Sequence, residues 1–156
     1  MKVRLAHPSD IAALHRLRQS VLENRLSDPR QITEASYLPY VEALSAWVAE
    51  VDKAIVGFGA VDASEATIRA QFVDPGSEGH GVGQAVLDRM VSWAREKQLV
   101  QLSLGTEKGT RAEAFYKRSG WIEASTIESS ETRLEFMLAR GRIRTRGPLF
   151  PLGCTE

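Results

Sequence analysis

The sequence has almost no cysteine, no long apolar run and no excess of charge of one sign. Cys154 is the only cysteine among 156 residues, which excludes an internal disulfide and a metal cluster built on several cysteines. His7 and His15 have no partner at the spacing of a zinc site, so no metal is expected. No apolar run reaches the roughly 18 residues that suggest a transmembrane helix, and no signal-peptide pattern is present. The sequence therefore predicts a cytoplasmic protein with no membrane partner.

The charges balance over the whole chain but are not spread evenly. Lysine plus arginine and aspartate plus glutamate each number 20. The last 17 residues carry a net charge of +3, and the rest of the chain therefore carries −3, because the tail contains Arg140, Arg142, Arg144, Arg146 and Glu156. A broad basic surface is missing, so no nucleic-acid partner is predicted. We expect one domain over residues 1–140, followed by a basic extension over residues 141–156 that is not a separate domain.

What the sequence does have is a regular alternation of strand and helix patterns. Strands are predicted at Lys2–Leu5, Ala46–Val51, Ile55–Asp62, Thr67–Val73, Leu99–Leu104, Trp121–Ile127 and Thr132–Leu138. Helices are predicted after a Ser9 cap, over Thr33–Leu44 with a kink or late start at Pro39, over Gly81–Lys97 and over Thr110–Ser119. The predicted fold class is therefore α/β, with one mixed sheet of about seven strands.

The most informative segment is the glycine-rich turn between a strand and the longest predicted helix. Gly79, Gly81 and Gly83 alternate at the start of that helix. Glycine tolerates positive φ and lets a ligand approach the backbone closely. The first N–H groups of a helix lack intrahelical partners and carry the positive end of the helix dipole. The turn therefore predicts a site for a phosphate or pyrophosphate.

Two other glycine motifs fit this turn less well. A P-loop ends in Gly-Lys-Ser/Thr, which Gln84 excludes. A dinucleotide fold needs the spacing G-x-G-x-x-G and an acidic residue after the next strand. Here the spacing is G-x-G-x-G, and the acid comes only at Glu107. A tight turn with no ligand remains the alternative.

Two separated motifs resemble those of the GNAT superfamily of acyl-CoA-dependent N-acetyltransferases. Residues 78–83, EGHGVG, are similar to its Q/R-x-x-G-x-G/A signature, and residues 73–75, VDP, resemble the V-x-P before it. Residues 112–121, AEAFYKRSGW, are similar to its A-x-x-F-Y-x-x-x-G-F element. The resemblance implies a mostly antiparallel sheet with about four helices, and acetyl-CoA as co-substrate. The implied reaction moves an acetyl group to a primary amine of a small molecule, by direct attack in a ternary complex.

The resemblance also implies which residues bind the cofactor. Main-chain groups of Phe72 and Val73 would pair with the pantetheine, and Arg111 is a candidate for the 3′-phosphate. The pyrophosphate would lie on the backbone of Gly79, His80, Gly81, Val82, Gly83 and Gln84. The chain departs from the family at Glu78, where Arg or Gln is usual, and at Gly109, where Asn is usual. These departures weaken side-chain contacts and leave the backbone donors in place.

Tyr116 is the catalytic residue that the resemblance implies. It matches the family's tyrosine beside the thioester sulfur, where its hydroxyl can protonate the leaving thiolate. A backbone N–H near Phe72 would hold the oxyanion. The Thr67–Val73 strand contains no acid, although many relatives carry a Glu there. The general base is therefore unassigned, with a water chain and three acids as candidates: Glu23, Glu50 and Glu107.

The acceptor-binding residues are expected in two places. Arg69 lies six residues before Pro75, and if it faces the substrate it favours an acceptor with a carboxylate or phosphate. Gln71 lies on the same strand face and could orient that group. Glu23, at the end of the first helix, falls in the family's variable acceptor-binding region. Three aromatic residues could wall this pocket: Tyr37, Tyr40 and Trp47.

Two other functions remain open on the sequence. One is a non-catalytic acyl-CoA-binding or sensor domain, which the missing strand acid and the departures at Glu78 and Gly109 favour. The other is a protein acetyltransferase acting on an N-terminus or a lysine. Homodimers are common in the family, although no residue here requires one.

Overall fold

The computed structural model describes residues 1–21, 32–128 and 130–138. The chain divides into two compact units, Met1–Ser92 and Trp93–Glu156. Glu23 and the basic extension of residues 141–156 lie outside the described residues, so the expectations about them stay predictions. No helix within the three described ranges combines the length and apolar character needed to cross a membrane.

The first unit is built on a four-stranded antiparallel sheet. Its strands pair in chain order: β1 (Lys2–Leu5), β2 (Ala46–Val51), β3 (Ala54–Asp62) and β4 (Thr67–Val73). Two helices, α1 (Ile11–Ser20) and α2 (Leu38–Glu42), follow short 3₁₀ turns. A third, α3 (Val82–Glu96), starts in this unit and runs past its boundary.

The sheet of the first unit follows from its apolar alternation and its turns. Val48 and Phe58 are fully buried in a cluster that also contains Leu14 and Leu17 of α1. The β2–β3 hairpin turns at residues 52–53, where both residues have positive φ (50° and 67°). Two consecutive residues with left-handed backbone conformation are typical of a two-residue hairpin turn, whose twist matches that of the flanking strands.

Helix α3 packs closely on β3 because β3 carries glycine there. A Cβ added to Gly59 would lie 2.7 Å from Val86 Cγ1 and 2.8 Å from Met90 Cε. Both of these helix residues are fully buried. The helix that carries the glycine turn is therefore seated directly on the strand backbone.

The second unit is a three-stranded antiparallel sheet in the order β5-β7-β6. Its elements are β5 (Gln101–Glu107), α4 (Arg111–Arg118), β6 (Ile122–Glu128) and β7 (Glu131–Met137). Leu104 of β5 lies opposite Leu134 of β7, and both side chains are buried. After α4, Gly120 adopts a φ of 98°, which is typical of a glycine that ends a helix.

The predicted α/β class is confirmed, with seven strands and four α-helices in the described residues and antiparallel pairing inside each unit. The prediction of a Ser9 cap is wrong. His7 Nδ1 accepts from the Ser9 N–H (3.3 Å), and the Asp10 carboxylate accepts from the His7 N–H (2.7 Å). The late start predicted at Pro39 is confirmed, because α2 begins at Leu38 and a proline in the first turn sacrifices no helical hydrogen bond.

Candidate active site

The loop between β4 and α3 is shaped by Asp74. Its Oδ2 accepts hydrogen bonds from the Gly76 N–H (3.1 Å) and the Ser77 hydroxyl (3.4 Å). Its own N–H donates to the Val56 carbonyl at 2.8 Å, which ties the loop to β3. In the sequence, Asp74 stands out only as the middle residue of V-D-P. The Asp-Pro-Gly run is the signal for such a side-chain-capped turn.

The glycine turn has the backbone geometry that an anion site requires. Gly79 and Gly81 both adopt a φ of 82°, and a Cβ added to either would meet nothing within 4 Å. The Ala85 N–H donates to the Gly81 carbonyl at 3.0 Å, so the helical ladder starts there. The N–H groups of residues 82–84 precede it and belong to the first turn, whose donors point out of the helix end. The turn therefore combines open space at Gly79 and Gly81 with the backbone N–H groups of the first helical turn.

Gln71 connects β4 to the start of α3. Its side-chain Nε2 donates to the Gly83 carbonyl at 2.7 Å, across the strand–helix junction. The role of Gln71 in orienting the acceptor stays a prediction. At the other predicted cofactor positions, Gln84 Nε2 donates to Asp88 Oδ1 at 2.8 Å. His80 lies on the exposed turn, with its Nδ1 3.3 Å from the Ser77 carbonyl.

Phe72, the penultimate residue of β4, lies beneath an arginine that sequence reasoning missed. The Arg18 guanidinium carbon is 4.6 Å from the centroid of the buried Phe72 ring. Arg18 is half-buried, and this burial lowers the pKa of its guanidinium. The signal was its spacing, since Arg18 is four residues after the buried Leu14 and three before the buried Val21. It therefore lies on the inner face of α1.

The aromatic residues predicted to wall the acceptor pocket are largely core residues. Tyr37 is buried and packs edge-on against Phe58 at 5.8 Å between ring centroids. Its hydroxyl lies 3.0 Å from His15 Nδ1, and burial raises its pKa. Trp47 of β2 is fully buried. Tyr40 is half-buried against the cluster that contains Tyr37 and Phe58.

The other charged candidates of the first unit are held by ion pairs. Arg69 is exposed and contacts the carboxylates of Asp62 (3.5 Å) and Glu65 (3.6 Å). Glu50 accepts from Arg4 Nε at 2.9 Å. The prediction that Arg69 binds an acidic acceptor stays a prediction, with two carboxylates already beside it.

Tyr116 and Arg111 both lie on α4 in the second unit. Tyr116 is buried, with its ring edge-on to Trp121 at 5.6 Å between centroids. Burial raises the pKa of its hydroxyl well above the usual range, so the phenol stays protonated. Arg111 is the exposed first residue of the helix. Among the candidate bases, Glu107 at the end of β5 is exposed.

Gly109 explains one departure from the family pattern. It adopts a φ of 78°, and its N–H donates to Glu113 Oε1 at 2.8 Å. That hydrogen bond is the largest cause of the lowered pKa of Glu113. Asparagine and glycine are the two residues that tolerate a left-handed backbone best. The position therefore demands a conformation that both residues supply.

A family model for the acetyltransferase (GNAT) domain matches residues 42–123. This range contains the glycine turn and Tyr116. The chain belongs to the GNAT acetyltransferase family. The GNAT match confirms the resemblance, and the domain is an acetyl-CoA-dependent N-acetyltransferase.

Curated and solved GNAT proteins resemble the chain over most of its length. The amino-acid acetyltransferase of Mycobacterium tuberculosis is 32% identical over 129 residues, which cover 78% of this chain and 68% of that protein. The crystal structure of Ard1 from Thermoplasma volcanium has 25% identity and a TM-score of 0.74, covering 88% of this chain and 97% of the other. Rv2747 from M. tuberculosis, solved with CoA and NLQ, has 24% identity and a TM-score of 0.71, covering 88% and 99%.

The residues present fit the cofactor of this family. The turn at Gly79 and Gly81 leaves open space that a Cβ would enter, and the first turn of α3 follows it directly. A pyrophosphate needs such a set of backbone donors. In the described residues, no group of three or more His, Cys, Asp or Glu side chains is placed to hold a metal ion.

Proposed function

We propose that this GNAT domain transfers an acetyl group from acetyl-CoA to the primary amine of a small molecule. The observation that carries the proposal is the open, positive-φ glycine turn at the start of α3. The similarity to an amino-acid acetyltransferase supports a small acceptor rather than a protein. We propose that the acceptor also carries an acidic group, and that the reaction is a direct attack in a ternary complex.

The chain's residues have separate tasks in this proposal. Acetyl-CoA, when bound, supplies an acetyl group activated as a thioester, and the C–S bond breaks as the new C–N bond forms. The backbone at Gly79–Gln84 binds the pyrophosphate, and Arg111 binds the 3′-phosphate. A main-chain N–H near Phe72 donates to the acetyl oxygen, which preorganised donors stabilise in the transition state. Tyr116 donates its proton to the departing thiolate.

The acceptor must lose one proton to attack as a neutral amine. No carboxylate stands in β4, and Glu50 is already paired with Arg4. We propose that this proton leaves through water rather than to a dedicated side chain. The amine nitrogen then loses a second proton as the amide forms, and this proton also leaves through water. Tyr116 gives one proton to the thiolate and regains one from water, so each turnover releases one proton to solvent.

The alternative is an acyl-CoA sensor without turnover, which the lack of an acid in β4 favours. Free thiol release from acetyl-CoA separates the candidates. We expect release with free amino acids, and no release above hydrolysis with peptides that have a free N-terminus or a lysine. Binding of acetyl-CoA with no release on any amine would support the sensor. Release only on peptides would support a protein acetyltransferase.

A further inference from the structure

Arg18 occupies an unusual place in the first unit. Its guanidinium lies 4.6 Å from the Phe72 ring centroid, and Phe72 is the residue whose main chain we propose to serve the acetyl group. The two residues come from different elements, α1 and β4, so the contact is made by the fold and not by neighbouring sequence. A guanidinium over a ring face is attracted to it and can still donate hydrogen bonds from its NH groups.

The charge of Arg18 is not balanced by the described part of the chain. Two other arginines of the first unit have carboxylate partners, and the first is Arg4, which pairs with Asp10 and Glu50. Arg69 pairs with Asp62 and Glu65. Within residues 1–21, 32–128 and 130–138, no carboxylate forms an ion pair with Arg18. Partial burial of a guanidinium costs free energy, and an anion bound beside it offsets that cost.

Two aromatic residues of the described part of the chain act on Arg18. Phe72 lies beneath it, and the Tyr37 hydroxyl raises the pKa of the guanidinium while burial, the larger effect, lowers it. Tyr37 in turn contacts His15. A half-buried, weakly hydrated guanidinium beside aromatic rings preferentially binds a planar anion that accepts two parallel hydrogen bonds. A carboxylate has that geometry.

We infer that Arg18 binds the carboxylate of the acceptor, which makes the substrate an α-amino acid or a closely similar amino carboxylate. This inference rests on the proposed function and names its substrate class. In an α-amino acid, one carbon atom separates the carboxylate from the amine. A carboxylate on Arg18 therefore holds the amine close to the end of β4, where the acetyl carbon is proposed to lie. Positioning of this kind contributes directly to rate.

The test compares each amino acid with its own carboxamide, which keeps the amine and loses the negative charge. Thiol release is measured for the wild type and for Arg18→Gln, Arg18→Lys and Arg16→Gln. Arg16 is an exposed arginine on the same helix and serves as the control. The affinity for acetyl-CoA, measured calorimetrically, verifies that each variant is folded and cofactor-competent.

We expect Arg18→Gln to raise the KM for the amino acid on the order of 30-fold or more, because truncating one partner of a buried charge pair is costly. The KM for the carboxamide should stay unchanged. Arg18→Lys should recover part of the loss, since lysine keeps the positive charge but lacks the planar guanidinium that donates two parallel hydrogen bonds. Arg16→Gln should match the wild type.

Each other outcome has a defined meaning. Equal effects of Arg18→Gln on the amino acid and its carboxamide would overturn the inference, and so would no effect on either. If the enzyme acetylates amines that lack a carboxylate and acetylates no amino acid, the inference about Arg18 is overturned and the proposed function is left intact. If no amine releases thiol, the proposed function fails. Titration of the free amino acid into the CoA complex of wild type and Arg18→Gln then decides whether the carboxylate site exists.

Discussion

A Cβ added to Gly57 of β3 would lie 2.6 Å from Cγ1 of Val82, the first residue of α3. Real Cβ atoms do not approach other atoms so closely, so the strand backbone and the helix start are in contact only because residue 57 is glycine. Val82 is buried at this contact. The position of the glycine turn is therefore set by packing beneath it as well as by its own glycines.

Substituting Gly57 by alanine should displace the start of α3 and weaken acetyl-CoA binding. Gly59→Ala is the matched control, because its Cβ would meet Val86 and the flexible end of Met90 further along the helix. Both variants should lose about 1–3 kcal/mol of unfolding free energy from overpacking, measured by urea denaturation. Only Gly57→Ala should weaken the calorimetric affinity clearly. Equal affinities in the two variants would contradict this account of the turn.

Gly81→Ala should cost both stability and cofactor affinity. The left-handed backbone at a φ of 82° disfavours alanine by about 1–2 kcal/mol, and the added methyl group enters the space proposed for the pyrophosphate. Gly120→Ala imposes a similar backbone strain at a φ of 98° in the second unit, where the added Cβ would lie 3.2 Å from Phe136 Cε1. The affinity for acetyl-CoA should fall in Gly81→Ala and stay unchanged in Gly120→Ala. A normal affinity in both would remove the anion site from this turn.

Tyr116→Phe should lower kcat and leave the KM for acetyl-CoA unchanged. Loss of a general acid typically costs on the order of 100-fold or more in rate. Because burial raises the pKa of Tyr116, the wild-type kcat should not fall through loss of this proton up to about pH 10, the usual tyrosine value. Tyr40→Phe, a half-buried tyrosine of the other unit, is the control. A kcat within threefold of wild type, a factor worth only about 0.7 kcal/mol, would exclude Tyr116 as the acid.

Because of Asp10, the free energy of unfolding should decrease as the pH falls in the acidic range. Arg4 donates hydrogen bonds to its carboxylate at 2.9 and 3.2 Å and is the largest cause of its lowered pKa. A lowered folded-state pKa adds stability that is present above the usual value of 3.8 and is lost as the pH falls through the folded-state value. Asp10→Asn should be about 1–3 kcal/mol less stable than the wild type at pH 7. Its free energy of unfolding should also decrease less than that of the wild type as the pH is lowered. Glu96→Gln, an exposed acid, should follow the wild-type curve in both respects.

Much of the fold could be predicted because its signals are local. The β2–β3 turn at Asp52 and Lys53 interrupts two apolar runs, and the proline at position 39 delays α2. The helix cap was missed because His7 is not a usual capping residue, and its side chain acts only once Asp10 closes the turn from the other side.

The backbone geometry of the candidate site could be predicted in part for the same reason. The glycine turn is contiguous in sequence, so its geometry could be inferred from its own residues. Arg18 could not be found in this way, because its significance depends on the ring of Phe72, which lies 54 residues later in the chain. Gln71 likewise reads as a polar strand residue until the fold brings it to the Gly83 carbonyl.

Acetyl transfer to a free amino acid tests the central claim most directly. The protein is incubated with acetyl-CoA and each L-amino acid in turn, thiol release is followed continuously, and the product is identified by mass spectrometry. We predict thiol release matched mole for mole by an N-acetylated amino acid. Acetyl-CoA binding with no acetylated product from any amino acid or other small amine would contradict the account.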